Sequence, residues 1–515
     1  MIFKLYKLFQ YYYWLFGIKS LKIFSDRIFR YLSLSIIYEK TYFLFWNKKS
    51  YALNHKYELM SSYDFIEQYP FRKKQQIITA ADNICNHIFD FLGTGKLRWG
   101  KKIEWNFDIK SNYSWNPKFY SCYRQNELMP SNGVDIKIPW ELNRLHHLVT
   151  LAQAYKLTNN EKYSSECLKQ YNDWSKKNPF CYGINWTSTM EVSVRVVNLI
   201  VMLDMVYNSE NWNDNDIINL KNNIREHGIF IQHNLEIGVS KNNIIAGNHY
   251  LTNIAALSII GMSLKDIPES KNWIKCGMKA LEDAIKWMVN NDGFYFESST
   301  SYHRFALELF MYPYILGLLT NNPFSKLYSN RLQLMLDVIL YLNTPGNTIP
   351  QIGDNDNGRL LILDSYPNWT INDHRYLLGI GTVLFNRSDY KFLSESFPLE
   401  LFWLLGKEPL QKYNNIQSKK MSILSKSFPD SGLYVIRNDK RKDYTLVRGC
   451  SKSSSLYGHT HNDVLSLELW VAGKPIFIDP GSYCYTSDIK SRNYFRSTKR
   501  HSTIIINNTE LNEIR

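Results

Sequence analysis

The sequence contains no CxxC pair. Its seven cysteines, Cys85, Cys122, Cys167, Cys181, Cys276, Cys450 and Cys484, are odd in number and far apart, which argues against a disulfide framework and a cysteine-held metal. No apolar run reaches the ~18 residues that a spanning helix needs. The opening MIFKLYKLFQYYYWLFGIKS shows no convincing signal, because Gln10 and the tyrosines interrupt any apolar core and no small-x-small cleavage site follows. An amphipathic helix is expected there, packed on the protein or resting in peripheral contact with a membrane. Zinc-finger spacing, RNA-binding signatures and Lys/Arg-only blocks are all missing, so nucleic acid is not the expected partner. No repeat of fixed period is visible either.

What is present is a globular composition of 515 residues, 44 % hydrophobic and 21 % charged, enough for a large core and two or three domains. Aromatics reach 15 %, which suits sugar-ring stacking, although rich Asn, Lys, Ile and Tyr together also follow from biased codon usage. The formal charge of +14 favours an anionic partner through long-range attraction.

Residues 1–70 read as a basic, aromatic lead-in. Over 71–410 the apolar period is helical, with helices expected at 75–91, 140–155, 163–174, 189–207, 216–233, 249–260, 273–289, 301–319 and 330–342. Short connections between helices of this length imply stacked hairpins, and the lack of a regular repeat favours a closed (α/α) toroid over a solenoid. After a polar linker at 411–424 the period becomes alternating. The runs GLYVIRN, DYTLVRG, VLSLELWV, PIFID and STIIIN over 425–515 fit an antiparallel β-sandwich, a short one.

Chemistry concentrates at 458–502. His459 and His461 stand two apart, so an extended chain turns both to one face. Asp479 ends the KPIFID run before a Pro-Gly turn, and His501 follows a basic loop. Two segments of the helical region add polar groups at helix starts. Asn248 and His249 follow Gly247, where a helix N-terminus would also favour an anion. Tyr302 and His303 enter the first turn after the Ser298 to Ser301 caps. If both helices run in one sense, both pairs face one rim, where the β-domain could cap a cleft. A tyrosine used for acid/base work needs a nearby cation or strong donors, which His303, Arg304 or His459 would supply. GDNDNGR at 353–359 fails as a calcium loop, since Gly358 falls one place early and Ser365 stands where Glu is required. Trp105, Trp115, Tyr182 and Trp186 are candidates for sugar stacking or for the core.

Taken together, DIKIPWELNRLHHLVTLAQAY at 135–155, WTSTMEVSVR at 186–195, GNH at 247–249, Ser301-Tyr302-His303, GDNDNGR and the HTHND to KRHS stretch resemble the heparinase II/III family of polysaccharide lyases, an α/α toroid joined to a β-sandwich. The resemblance implies β-elimination on a uronic-acid polysaccharide. Asn248, helped by His249, would neutralise the uronate carboxylate, Tyr302 would protonate the leaving oxygen, and Tyr302 or His459 would take the C5 proton. Trp105, Trp186, Arg195, His303 and Arg359 would contact substrate. His461, Asp479 and His501 match a largely structural zinc site. The resemblance also implies the cell envelope or periplasm. Two alternatives compete: a toroidal glycoside hydrolase using carboxylates such as Glu297, Glu308 or Asp354, and a non-catalytic protein that holds an acidic glycan.

Overall fold

The structure is a computed structural model that describes residues 2–17, 53, 62–91, 94–130, 133–240, 243–364, 372–419, 425–450, 457–484 and 487–513. Its principal helices are α1 (Ile2–Phe16), α2 (Phe71–Cys85), α3 (Lys137–Asn143), α4 (His146–Thr158), α5 (Glu161–Lys177), α6 (Thr189–Val206), α7 (Asp214–His233), α8 (Asn248–Ser263), α9 (Ser270–Met288), α10 (Thr300–Leu319) and α11 (Lys326–Leu342). The shorter α12 (Arg375–Phe385), α13 (Ser388–Ser394), α14 (Glu400–Leu405) and α15 (Glu408–Asn415) follow.

Two sequence patterns sort these helices into two layers. α6, α8 and α10 are apolar on nearly every side and bury almost all of their side chains, as enclosed helices do. α9 instead buries one stripe, Trp273, Cys276, Ala280, Leu281, Ala284, Ile285 and Met288, at helical spacing. Accordingly α4, α6, α8 and α10 pack on one another in succession, and each hairpin partner lies on the outside. The ring closes where Phe65 meets Phe402 and Trp403, both at 5.0 Å between ring centroids. This is the expected helical toroid.

The expected helix at 140–155 is two helices, because Leu145 adopts a left-handed φ of 61° between α3 and α4. That break aims Arg144 at Glu191, with Nε to Oε2 at 2.7 Å. The helix expected at 75–91 stops at Cys85, and the chain turns through His87 into a strand, Ile88–Asp90, paired with Lys96–Arg98. The first half of the expected linker is helical, in α15. Residues 420–424 of that linker lie outside the described residues, as do 18–52 and 54–61 of the lead-in. α1 packs on the toroid: Tyr12 is fully buried, Tyr11 hydrogen-bonds Tyr250, and Lys279 sits 4.0 Å over the Trp14 ring.

The β part is an antiparallel meander of β1 (Lys426–Phe428), β2 (Leu433–Asn438), β3 (Asp443–Arg448), β4 (Leu467–Val471) and β5 (Lys474–Phe477). Alternation sends Val435, Tyr444, Leu446 and Trp470 toward the helices. Tyr444 donates to the Leu342 carbonyl at 3.2 Å, and the Ser431 amide donates to Asp292 at 2.8 Å. The opposite face is open, with Ile436 57 % exposed. The run STIIIN, expected as a strand, makes only bends and turns, and Ile504, Ile505 and Ile506 are exposed. It has no neighbouring strand to complete a ladder among the described residues, and β-branched residues alone do not make one.

Arg359 is not placed to touch a substrate, which corrects the expectation for it. It is buried and pairs with Glu308 of α10 at 2.7 Å. Glu308 also accepts from the Leu360 amide at 3.0 Å, and Arg304 donates to the Gly358 carbonyl at 2.8 Å. The cluster pins the GDNDNGR loop to the inner helix. Arg359→Ala therefore leaves a buried carboxylate short of its counter-charge, and urea unfolding is expected to show a loss of about 3–5 kcal/mol. A double Arg359→Met/Glu308→Leu variant should be markedly less destabilised than the single one.

Candidate active site

α8 and α10 start on the same rim, as does α6. Glu236 ties two of these starts together, accepting from the Met190 amide of α6 at 2.8 Å and bonding His249 of α8 at 3.0 Å. Glu297, in the segment entering α10, accepts from both the backbone amide and Nδ2 of Asn248, at 3.2 and 2.9 Å. The helix end that was expected to receive a ligand's anion thus already holds the protein's own carboxylate. Gly247 permits this approach, since a Cβ there would lie 2.3 Å from Glu297 Oε1.

His249 is half exposed at the side chain yet carries a raised pKa, about 9. Burial of the ring lowers it, and the nearby Glu236 carboxylate more than offsets that through charge and hydrogen bonding, with Glu191 and Glu297 adding to the effect. The imidazolium is therefore the dominant form at neutral pH.

The Tyr302 ring stacks on His459, with centroids 3.8 Å apart. Its hydroxyl donates to Asp356 Oδ2 at 3.3 Å, and Lys137 Nζ reaches the same oxygen at 2.8 Å. The phenol is thus hydrogen-bonded to an anion. His303 and Arg304, considered as cations for it, serve elsewhere. His303 is enclosed between the Tyr295 amide and the Met335 carbonyl, and burial pushes it down to about 4, so it is neutral. The expectation that His303 contacts substrate is corrected.

Asp354 is the residue that sequence reasoning undervalued. Its carboxylate bonds His459 Nδ1 at 3.1 Å, His461 Nε2 at 3.1 Å and Arg492 Nη2 at 2.6 Å. Burial alone would raise its pKa, but the two histidines and the Arg492 charge hold it far below the usual carboxylate range. Arg492 comes from α16 (Ile489–Arg496). Gly353 sits at φ 70°, where a Cβ would meet the His459 carbonyl at 2.6 Å, and the Asp354 amide donates to that carbonyl at 2.9 Å. The loop rejected as a calcium site is therefore the joint between toroid and β part. Asp356, Lys137, Arg144, Glu191 and Glu141 line the adjoining floor. Burial pushes the Glu141 carboxyl up to about 7 even though Arg144 opposes it.

His461, Asp479 and His501 come together, with candidate donor atoms all within 4.8 Å of one another. Asp354 fixes His461 through Nε2, and Asp479 bonds His501 Nδ1 at 3.0 Å. The remaining nitrogens, His461 Nδ1 and His501 Nε2, are buried without a hydrogen-bond partner. Two orphaned imidazole nitrogens beside a carboxylate fit a cation. Asp463, also buried, lies beside this group with Arg448 at 2.7 Å.

The aromatic candidates are corrected too. Trp105 is buried and donates to Asp173 at 2.8 Å, and Trp115 is buried with its Nε1 on the Glu127 carbonyl. Trp186 is enclosed, and Arg195 lies under it, 5.3 Å from the ring, bonded to His227 at 3.0 Å. Neither Trp186 nor Arg195 has surface to offer a sugar, because the inner helices are apolar all round and bury whatever they carry. Of the carboxylates weighed for hydrolysis, Glu308, Glu297 and Asp354 are each committed to a cation or an amide.

For His249 the expected NMR titration midpoint is about 9, and Glu236→Gln should bring it down toward the unperturbed value of about 6.5. A midpoint unmoved by that substitution would refute the pairing.

Comparison with known proteins now places the chain. The profile for the Heparinase II/III N-terminus matches residues 41–371, and that for the Heparinase II/III-like C-terminal domain matches 421–514. A heparin-sulfate lyase of Pedobacter heparinus is 24% identical over 448 residues, 84% of this chain and 58% of that protein. One from Bacteroides stercoris is 26% identical over 410 residues, 74% of this chain and 55% of that protein. The chain thus spans somewhat more than half the length of these relatives. Among solved structures, a heparan sulfate lyase of Pedobacter heparinus aligns with a TM-score of 0.52 at 23% identity, covering 84% of this chain and 60% of that one. A heparinase III structure aligns with a TM-score of 0.62 at 17% identity, covering 88% and 66%. With its toroid, its β part and both profiles matched in order, the chain belongs to the heparinase II/III family.

Proposed function

We propose that the protein is a polysaccharide lyase that cleaves a uronic-acid-containing polysaccharide by β-elimination. The observation that carries this reading is the stacked pair of Tyr302 and His459, each held by its own carboxylate beside a rim bearing the His249 cation. The two heparin-sulfate lyase relatives support it.

The C5 proton lies α to the uronate carboxylate, and its removal becomes easier as charge on that carboxylate is neutralised. His249 supplies the positive charge, and Asn248 stands beside it with its side-chain and backbone amides both donated to Glu297. His459 donates its Nδ1 proton to Asp354, which leaves the Nε2 lone pair as the base for the C5 proton. Tyr302 donates its hydroxyl hydrogen to Asp356, and this is the proton it gives to the leaving oxygen. The C5–H electrons form the C4=C5 double bond as the C4–O bond breaks, and the leaving oxygen takes the Tyr302 proton. Lys137 balances Asp356 so that the carboxylate orients the phenol.

The proposal extends to His461, Asp479 and His501 as ligands of a zinc ion, chosen by the two-imidazole, one-carboxylate donor set. When bound, the ion would supply fixed positive charge and a structural tie. Asp354, bonded to both His459 and His461, would pass the order of that site to the base. The proposal puts the protein at the cell envelope, with the exposed Tyr6 and Tyr13 of α1 as its face for a membrane surface.

Ultraviolet absorbance on a panel of heparan-type, hyaluronan, alginate and capsular uronans should rise with the wild type. Tyr302→Phe and His459→Ala should each lower kcat by at least about 100-fold, the usual weight of a positioned acid or base. Release of reducing ends with no absorbance would point to hydrolysis, and silence in both assays to a glycan-binding role. KM should stay flat up to pH about 9 and climb above it as His249 loses its proton. Zinc at about 100 times its Kd should stabilise the fold by about 2.7 kcal/mol, and His501→Ala should abolish that gain.

A further inference from the structure

Asn248 presents a hydrogen-bonding puzzle. A carboxylate accepts and does not donate, so Glu297 must face the amide NH2 group of Asn248, as the 2.9 Å contact from Nδ2 to Oε2 shows. The second oxygen of Glu297 takes the Asn248 backbone amide at 3.2 Å, which fixes the carboxylate in the plane of the turn. This leaves the amide oxygen, Asn248 Oδ1, buried and without a hydrogen-bond partner. An orphaned acceptor of this kind is costly unless a ligand satisfies it, and a residue on the candidate rim is where such a cost has a use. A negatively charged carboxylate cannot satisfy it, because two acceptors repel.

We infer that Glu297 is a positioning residue that locks the Asn248 amide with its oxygen as the open group, so that Asn248 recognises an O–H donor of the sugar. The inference rests on the lyase reading and deepens it, by dividing the rim's work between two residues. His249 meets the negative charge of an ionised uronate, and Asn248 meets a hydrogen carried on oxygen, a hydroxyl when the carboxylate is ionised or the carboxyl O–H when it is protonated. Gly247 belongs to the same device, since any side chain there would displace Glu297.

Glu297→Gln tests this, because a glutamine can still accept from the Asn248 backbone amide while its own NH2 group donates to Oδ1 and frees the asparagine amide to turn. Expected results are a KM raised at least tenfold with kcat changed far less, and faster hydrogen exchange of the Asn248 side-chain amide by NMR. An unchanged KM together with unchanged amide exchange would overturn the inference. If the wild type forms no unsaturated product, the lyase reading fails separately. The inference is then judged by NMR titration with glucuronic acid, where Glu297→Gln should weaken binding at least tenfold and equal binding would overturn it. Titration with the methyl ester identifies the donor: a loss of affinity that persists on the ester assigns a hydroxyl, and one that vanishes assigns the carboxyl O–H. Should Glu297→Gln not fold, the wild-type amide still decides, since rapid exchange of both Nδ2 protons contradicts a bond to Glu297.

Discussion

One buried carboxylate, Asp354, holds three cationic or hydrogen-bonding groups from the β part of the chain. His459, His461 and Arg492 all converge on it, while the loop that carries it is fastened to the inner helix α10 by Arg304, Glu308 and Arg359. An ionised carboxylate is expensive to bury and is kept only where such partners surround it. Remove that charge and both histidines lose the hydrogen bond that orients them, and Arg492 loses its counter-charge at the rim loop.

The remaining geometry follows from how the toroid is built. Inner helices that alternate with outer ones in simple hairpins all start at the same rim, so polar residues from their first turns meet without any long-range motif. Glu236, Glu297 and Asp356 then occupy the positions behind His249, Asn248 and Tyr302, one carboxylate behind each group.

Much of this was legible in the sequence. The helical character of 71–410 and the change of period near residue 425 could be read because helical stripes and alternation are local patterns, while the grouping of His461, Asp479 and His501 came from the family resemblance. The breaks were not. Leu145 carries no turn signal in its residue type, yet it takes a left-handed φ beside the buried pair of Arg144 and Glu191. Arg195, Trp186, Trp105 and Arg359 were expected at the substrate from the family resemblance, whereas here the tryptophans belong to the core and the arginines sit buried against rings or carboxylates. Asp354 was weighed only as a hydrolytic carboxylate, because its importance lies in three partners more than 100 positions away in the chain. STIIIN shows the reverse failure: strong β composition, with no neighbour to pair with.

The most direct test of the account is the mass of the fragments released from a uronan the protein cleaves. Elimination at a rim where His459 takes the C5 proton and Tyr302 returns one to the leaving oxygen predicts a new non-reducing end lighter by one water than the hydrolytic fragment. Fragments that carry the added water would contradict it.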